Sequence, residues 1–565
     1  MCHLRDFWSL SLELLPYRPL RTLQASYWWL TRRRVRAGNV LRDAAAGTPL
    51  PYRRWLKARE GDLPTLTAQI AALDRTASFT VLIHGDDDSP PDHWRSARRS
   101  VQAQAYPHSV ARECTSDALA LTLRDLTTDY VFLLRAGDRL SPTALPRMAL
   151  SVSQRPAAIV FADEDRPARH GRTMPWFKPA WNKEMFLALD FLSGAVALRR
   201  DIAAAVAADL GGDHPAPADA LLLRAADFAG EDVTHLPHVL VHRGSVDPAP
   251  GQRLSEVARF LGSSATCLDG PFGTVRVQWP LPEPRPLVSI VIPTRDQVEL
   301  LRTCLTSIFS ATSYDPFEIV IVDNGSCADA TLAYFADLAE RPDVRIVRSD
   351  APFNFSALSN LGARAGCGEY VLFLNNDTEV IGRDWLAEMM RYAVRPEVGA
   401  VGAKLLYSDR SIQHAGVVVG MGDAAGHPHR FLADADPGYF RQPHVAQFMS
   451  AVTAACLLVS RRKFEAVGGF DEQVFAVAYN DVDLCLRLQQ AGWRNVYTPH
   501  ALLFHHESKS RGSDLSPANR ERYMRELSAL QGRWATRTCR DPLHSPNLHR
   551  YSETYLPSTG IGDSE

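Results

Sequence analysis

Nine cysteines are scattered through 565 residues, and none forms a C-x-x-C pair. This spacing argues against a disulfide framework and a zinc site, and it points to a reducing compartment. Cys304, Cys456 and Cys485 fall in apolar patterns and read as small core residues. No apolar run approaches the ~20 residues needed to cross a bilayer. The N-terminus carries no apolar core followed by a small-residue cleavage site, so no secretory leader is expected. Neither sign of charge dominates: 62 Lys and Arg stand against 64 Asp and Glu, a formal net charge of -2. With a pI near 6.8, no global field directs the chain to nucleic acid. What is present is ordinary globular composition, 46% hydrophobic and 22% charged. The length calls for two or more domains, and the localisation expected is cytoplasmic.

Residues 1–76 read as an N-terminal helical extension. Between Tyr17 and Arg42, Tyr27, Trp28 and Trp29 lie beside Arg18, Arg21, Arg32, Arg33, Arg34 and Arg36. Such a stretch suits either a solvated helix packed on the next domain or peripheral contact with an anionic membrane surface, here the cytoplasmic face of the inner membrane. Apolar runs at Phe79–Ile83, Tyr130–Leu134 and Ile159–Phe161, separated by helical stretches, predict a parallel α/β domain over 77–245. Pro248, Pro250, Pro271, Pro280, Pro282, Pro284 and Pro286 mark 246–286 as a Pro-rich linker. A second α/β domain follows over 287–540, and 541–565 reads as a C-terminal tail. In it, Val288–Ile292, Glu318–Val322, Val344–Val347, Tyr370–Leu374 and Val398–Leu406 predict strands, while Val298–Phe309 and Phe355–Ala365 predict helices.

The chain repeats itself. Y-V-F-L-L at Tyr130 matches Y-V-L-F-L at Tyr370, and L-P-H-V-L-V-H at Leu236 matches T-P-H-A-L-L-F-H at Thr498 with one residue inserted. The order is preserved, which makes the two domains copies of one fold.

They differ where chemistry would sit. In the second copy the strand Tyr370–Leu374 stops at Asn375, Asn376 and Asp377, with Glu379 just beyond. A buried strand that ends in amides and a carboxylate is how an open α/β sheet presents a ligand site. One carboxylate among neutral oxygens suits a hard divalent cation that also holds phosphate and water; a plain turn uses the same residues. Asp323 and Asn324 end another strand. They offer a carboxylate to an imide N–H or a ribose hydroxyl, or else form an Asx turn, and Gly325 lets the backbone turn sharply. Asp481 and Asp483 precede a run with helical spacing. One can cap the helix, and a carboxylate there can also take a proton from an acceptor hydroxyl; on that reading Asp481 faces the cleft and Asp483 lies nearer the helix start. His505 and His506 follow the run Ala501–Phe504, where a neutral imidazole can complete a metal site begun by Asp377. His414, His427, His429 and Arg430 lie in a Gly-rich region suited to an acceptor sugar or to a polar surface loop.

These motifs together resemble the family 2 glycosyltransferases of GT-A fold, closest to the bacterial branch that builds O-antigen, rhamnan and exopolysaccharide chains. The segments that carry the resemblance are Val288–Asp296, Ile319–Ser326, Pro352–Asn360, Leu374–Val380, Gly468–Asp471, Asn480–Arg487 and His505–Ser508, in the family's order. The fold implied is α/β, two tandem Rossmann-like GT-A domains behind the helical extension. The resemblance implies a nucleotide-sugar site lined by Pro293, Thr294, Asp296, Asp323, Asn324, Asn354, Asn360, Asn375 and Asn376. It implies Mg²⁺ or Mn²⁺ held by Asp377 with His505 or His506, and Asp481 as catalytic base. Asn375 stands where the family's first metal carboxylate would be, which leaves Asp377 as the main protein charge on the cation. The reaction implied is an inverting transfer from a UDP-, dTDP- or GDP-sugar to a glycan or lipid-linked acceptor. The first copy, with Arg135-Ala136-Gly137-Asp138 in place of the acidic cluster and Pro217–Ala220 in place of the base segment, resembles the same family with its chemistry eroded. A two-site bifunctional enzyme and a non-catalytic carbohydrate-binding scaffold are the alternatives.

Overall fold

Unbroken runs of branched apolar residues, such as Ile290-Val-Ile292 and Ile319-Val-Ile-Val322, suit strands covered on both faces. The structure is a computed structural model. It describes residues 4–59, 63–169, 171–210, 217–244, 251–506 and 516–558. Pro248 and Pro250 of the Pro-rich stretch, and Glu507 and Ser508 of the last motif, lie outside the described residues. Residue contacts divide the chain into two units, Met1–Gly262 together with His544–Glu565, and Ser263–Leu543.

The first unit opens on helices α1 (Leu4–Leu14), α2 (Pro19–Leu30), α3 (Arg34–Ala45), α4 (Leu50–Arg59) and α5 (Leu63–Ala71). Phe7, Leu14, Ala25, Trp29 and Leu41 form a small core there, with Phe7 stacked on Trp29 at 4.0 Å. The strands are β1 (Phe79–Gly85), β2 (Ser109–Thr115), β3 (Tyr130–Arg135), β4 (Arg139–Leu140), β5 (Ile159–Ala168), β6 (Gly171–Trp176), β7 (Val196–Arg199) and β8 (Val233–His242). Their sheet runs β2-β1-β3-β7-β5-β8-β4, with β6 on β5.

The second unit begins with the antiparallel pair β9 (Thr266–Asp269) and β10 (Val275–Gln278). Its main strands are β11 (Val288–Thr294), β12 (Phe317–Asp323), β13 (Val344–Arg348), β14 (Tyr370–Leu374), β15 (Thr378–Val380) and β16 (Val398–Leu406). After them come β17 (Ile412–His414), the short β18 (Val418–Val419) and β19 (Ala425–Gly426), β20 (Gln447–Met449), β21 (Cys456–Ser460) and β22 (Arg494–His505). The sheet runs β13-β12-β11-β14-β21-β16-β22-β15. Alternation sends Ile290, Ile292, Ile319, Ile321 and Leu372 into one core layer and Val291, Val320, Val322, Val371 and Phe373 into another. Each such side chain, fully buried, contributes roughly 1.5–3 kcal/mol.

The repeat read from the sequence is therefore a repeat of topology. Strand for strand, β2-β1-β3-β7-β5-β8-β4 corresponds to β12-β11-β14-β21-β16-β22-β15, with β13 added at one edge. The directions agree as well: three parallel strands (β2-β1-β3, β12-β11-β14), an antiparallel pairing to β7 or β21, then a parallel pair, β5 with β8 or β16 with β22.

The Pro-rich stretch carries regular structure between its prolines. Gln252–Leu261 is a helix of the first unit and buries Val257, while β9 and β10 belong to the second. The last described residues return to the first unit, where Asn547 Nδ2 donates to Asp163 Oδ2 and to the Pro237 carbonyl, 2.9 Å each.

Candidate active site

Three parallel strands of the second unit end together. Thr294 is in register with Asp323, and the Asn376 amide donates to Thr294 Oγ1 at 2.9 Å. This ties the end of β14 to the end of β11 at the carboxyl ends of the strands, the place where open α/β sheets bind ligands. Pro293 is half-buried beside it in β11.

The residues expected to bind nucleotide fall into two groups. Asp323 and Asn324 are buried at the end of β12. Asp323 accepts from the Ser326 N–H at 2.8 Å and pairs with Arg348 at 3.0 Å. Each carboxylate oxygen keeps a second lone pair for a ligand donor. Asn324 gives its Nδ2 to the carbonyls of Ser349 and Ala351, and its buried Oδ1 has no protein partner. Gly325, at φ 73°, makes the turn that follows. Asp296, Asn354 and Asn360 are committed to the scaffold. Asp296 accepts from the N–H groups of Cys327 and Ala328. Asn354 caps the Phe355–Ala365 helix through the Ala357 N–H and donates to the Glu472 carbonyl. Asn360 holds both the N–H and the C=O of Phe470. The backbone of the G-G-F-D turn lies so close that a Cβ on Gly469 would stand 2.8 Å from Asn360 Oδ1.

The metal candidates converge only in part. Register places Thr378 opposite His505, so Asp377 faces the end of β22. Asp377 Oδ1 lies 3.1 Å from His505 Nε2, and the Asn375 amide is also 3.1 Å from that nitrogen. On its other side, His505 Nδ1 is 2.5 Å from Gln413 Oε1. A neutral His505 that donates Nδ1–H to Gln413 turns its Nε2 lone pair toward Asn375 Nδ2, from which it accepts, and toward the Asp377 carboxylate. Two lone pairs at that distance repel unless a proton or a cation lies between them. Asp377 Oδ1 is buried and makes no hydrogen bond. Ligands about 2.1 Å from one ion at near-right angles stand about 3 Å apart, so the pair fits a divalent cation. Half a turn of the Asn375 amide would add an oxygen. Among the described residues no three His, Cys, Asp or Glu side chains converge on one point. A cation here would therefore take its remaining ligands from substrate phosphate and water. Burial pushes the Asp377 carboxyl up, but a proton on His505 Nε2, the residue's own backbone N–H and His506 outweigh burial and hold it below the usual carboxylate range; a cation between the pair would take the place of that proton.

His506 points elsewhere. Alternation along the chain turns its ring to Glu379 at 3.0 Å and Ser408 at 2.9 Å, and only its backbone N–H reaches the Asp377 carbonyl.

Asp481 and Asp483 separate cleanly. The helix Asn480–Gln490 begins one residue before Asp481. Asp483 is therefore not the residue nearer its start; both carboxylates lie in the first turn. Asp481 is half-buried, with one oxygen on the Ala454 N–H at 3.0 Å and the other on the Val482 N–H at 2.8 Å. These bonds orient it without neutralising it. Asp483 is fully buried among Arg487 and Arg533, at 2.8 Å each, and Trp534 Nε1 at 3.0 Å. The helix Pro517–Trp534 supplies Arg533, Trp534 and also Glu526, whose carboxylate accepts from the N–H groups of Val477 and Ala478 just before Asp481. Gln413, Glu526, Arg533 and Trp534 carry no local motif; only the fold brings them to the site. His414 pairs with His427, Nδ1 to Nδ1 at 3.0 Å, and burial holds its imidazole well below the ordinary histidine range. Arg430 donates to the Tyr407 hydroxyl at 2.8 Å.

The first copy fills the same position differently. Arg139 is opposite His242, so Asp138 and His242 stand where Asp377 and His505 do. His242 is turned to Asp165 at 2.6 Å. Asp138 instead pairs with Arg243 at 3.2 Å, and the same guanidinium reaches Glu164 at 3.1 Å, beside Lys178 at 2.8 Å. A cation belonging to the chain compensates the buried carboxylate. Asp219 is likewise held by Arg253 at 3.4 Å. Burial pushes its carboxyl up to about 6, against the pull of Arg253 and with the repulsion of Asp190.

The profile described as Glycosyl transferase family 2 matches residues 289–451. An N-acetylglucosaminyl-diphospho-decaprenol L-rhamnosyltransferase of Mycobacterium tuberculosis is 31% identical over 237 residues, which are 38% of this chain and 74% of the relative. The O-antigen biosynthesis protein RfbC of Myxococcus xanthus is 38% identical over 78% of this chain and 36% of its own length. An uncharacterized protein of Sinorhizobium fredii, y4gI, is 40% identical over 84% of this chain and 54% of its own. The chain thus spans about half or less of these last two relatives. Among solved structures, a mannosyltransferase of Pyrobaculum calidifontis in complex with GDP-Man and Mn²⁺ aligns at 23% identity and a TM-score of 0.35, covering 49% of this chain and 71% of that one. The chain belongs to glycosyltransferase family 2, and its two sheets repeat one α/β topology behind a helical N-terminal region.

Proposed function

We propose that the Ser263–Leu543 unit transfers a sugar from a nucleoside-diphosphate donor to a hydroxyl of a growing cell-surface polysaccharide or lipid-linked glycan, in one displacement that inverts the anomeric carbon. The observation that supports this best is the apposition of Asp377 and His505 in the same unit whose strand ends carry Asp323 and Asn324, with Asp481 held separately by backbone N–H groups. In this reading Asn324 and Asp323 take the base and ribose of the donor. Asp481 accepts the proton of the attacking hydroxyl, oriented by the Ala454 and Val482 N–H groups. Mg²⁺ or Mn²⁺, held by Asp377 and His505 with the Asn375 amide, would supply Lewis-acid neutralisation of the departing diphosphate. Gln413 positions His505 for that task. The acceptor class is supported by the names of the O-antigen and rhamnosyltransferase relatives; on this reading the enzyme works in the cytoplasm at the inner face of the membrane.

The first unit binds no metal and transfers no sugar on this reading, because Arg243 and Arg253 already compensate its carboxylates. The test is product stereochemistry. Incubated with UDP-, dTDP- and GDP-sugars, Mn²⁺ and an acceptor glycan, the chain is expected to consume one donor. The proton NMR spectrum of the first product should show the anomeric configuration opposite to the donor's. Retention would contradict single displacement with Asp481 as base.

A further inference from the structure

Helix α2 carries two apolar stripes. Thr22, Ala25 and Trp29 face inward and are buried. On the other side, at the same helical spacing, Leu20, Leu23, Tyr27 and Leu30 are 82%, 60%, 58% and 71% exposed. Leu12 near the end of α1, at 71%, and Leu15 and Tyr17 in the turn between the two helices are exposed as well. Covering a core takes only one stripe, so the second does nothing for the packing of α2 on its own unit.

The charge around it is mostly positive, with Glu13 of α1 paired to Arg54 at 3.0 Å. Residues 14–42 contain seven arginines and no Asp or Glu, in a chain whose net charge is -2. Arg33 and Arg36 lie over the Trp28 ring at 4.9 and 4.1 Å, and Arg34 over Trp29 at 5.5 Å. These ring contacts hold the exposed guanidinium groups of Arg33, in the α2–α3 turn, and of Arg34 and Arg36, in the first turn of α3, against rings of α2.

We infer that this α1–α2 surface seats on an anionic phospholipid bilayer. The outer leucines and Tyr27 enter the acyl boundary, and the arginines sit among the lipid phosphates. Apolar stripe and basic rim are what interfacial helices use. A second copy of the chain is disfavoured as occupant, because a self-complementary contact would bring the two arginine sets together. The inference leans on the proposed function only for its purpose, which is to hold the enzyme where a lipid-linked acceptor lies. The surface itself is independent of the catalytic site.

The test is co-sedimentation of the full chain with vesicles of phosphatidylcholine, alone or with about one third phosphatidylglycerol, at low and high salt. The wild type is expected to sediment with the anionic vesicles only, and less as salt rises. Replacing Arg32, Arg33 and Arg36 by Gln should lower the partition roughly 100-fold, from about fivefold per arginine. Replacing Leu20, Leu23 and Leu30 by Ser should lower it roughly tenfold or more at every salt concentration. Both variants alter exposed side chains, and turnover on a water-soluble acceptor should match the wild type. That turnover judges the catalytic reading separately from sedimentation. Wild-type protein that stays in the supernatant at low salt would overturn the inference. So would variants that sediment like the wild type, or a dimer abolished by the leucine changes without any vesicle binding.

Discussion

Asp481→Asn is expected to lower turnover by about 10²- to 10⁴-fold, the usual contribution of a general base. Binding of the nucleoside diphosphate should stay within roughly threefold of the wild type, because Asp481 is assigned a role in the transition state only. The amide keeps one oxygen for the Ala454 or Val482 N–H, so the helix Asn480–Gln490 should retain its first turn. Asp483→Asn is the control that separates chemistry from architecture. Asp483 neutralises Arg487 and Arg533 in a buried position. Removing its charge leaves Arg487 without its carboxylate, while Arg533 keeps Asp471 at 2.8 Å, and should cost about 3 kcal/mol of stability. The fraction that remains folded should turn over at nearly the wild-type rate. Stopped turnover in a stable Asp481 variant, beside continuing turnover in a weakened Asp483 variant, is the pattern expected. Equal effects of the two changes on turnover per folded molecule would remove Asp481 from the role of base.

Asp377→Asn carries the second large effect. The substitution keeps the shape but removes the carboxylate that faces His505 Nε2. The Mn²⁺ concentration for half-maximal turnover should rise by at least about 100-fold, beyond the 10- to 100-fold typical of changes one shell further out. Glu379→Gln should leave it nearly unchanged, since Glu379 faces His506 rather than His505. A metal response that ignores Asp377 and follows Glu379 would move the cation to the other face of the strand.

The strands were legible because their apolar runs are local and unbroken. Val288–Ile292, Tyr130–Leu134 and Tyr370–Leu374 are strands where the runs stand. The repeat was legible because Leu236–His242 and Thr498–His505 reuse one pattern at the end of corresponding strands, and the shared strand order extends it to the whole sheet. Strand ends are also where Asp377 and His505 were found, and register brings those two together. What escaped was whatever depends on distant partners. Gln413 is one residue of a three-residue strand, and nothing near it in sequence marks it as the neighbour of His505. Glu526, Arg533 and Trp534 reach the base segment from a C-terminal helix that reads as an ordinary charged helix. Asn354 and Asn360 have the chemistry of ligand residues but spend their hydrogen bonds on a helix cap and on the Gly468–Asp471 turn. In the first unit, no spacing in the sequence reveals that Arg243 reaches Asp138, because the two residues come from paired strands about a hundred positions apart.

The most direct test of one working site per chain is calorimetric titration of UDP, dTDP, GDP and CDP into the full chain, with and without Mn²⁺, for the wild type and Asp377→Ala. One nucleotide should bind at one site per chain, only with the metal, and binding should be lost in the variant. Two sites per chain, or a single site indifferent to both Mn²⁺ and Asp377→Ala, would contradict the assignment of transfer to the second unit alone.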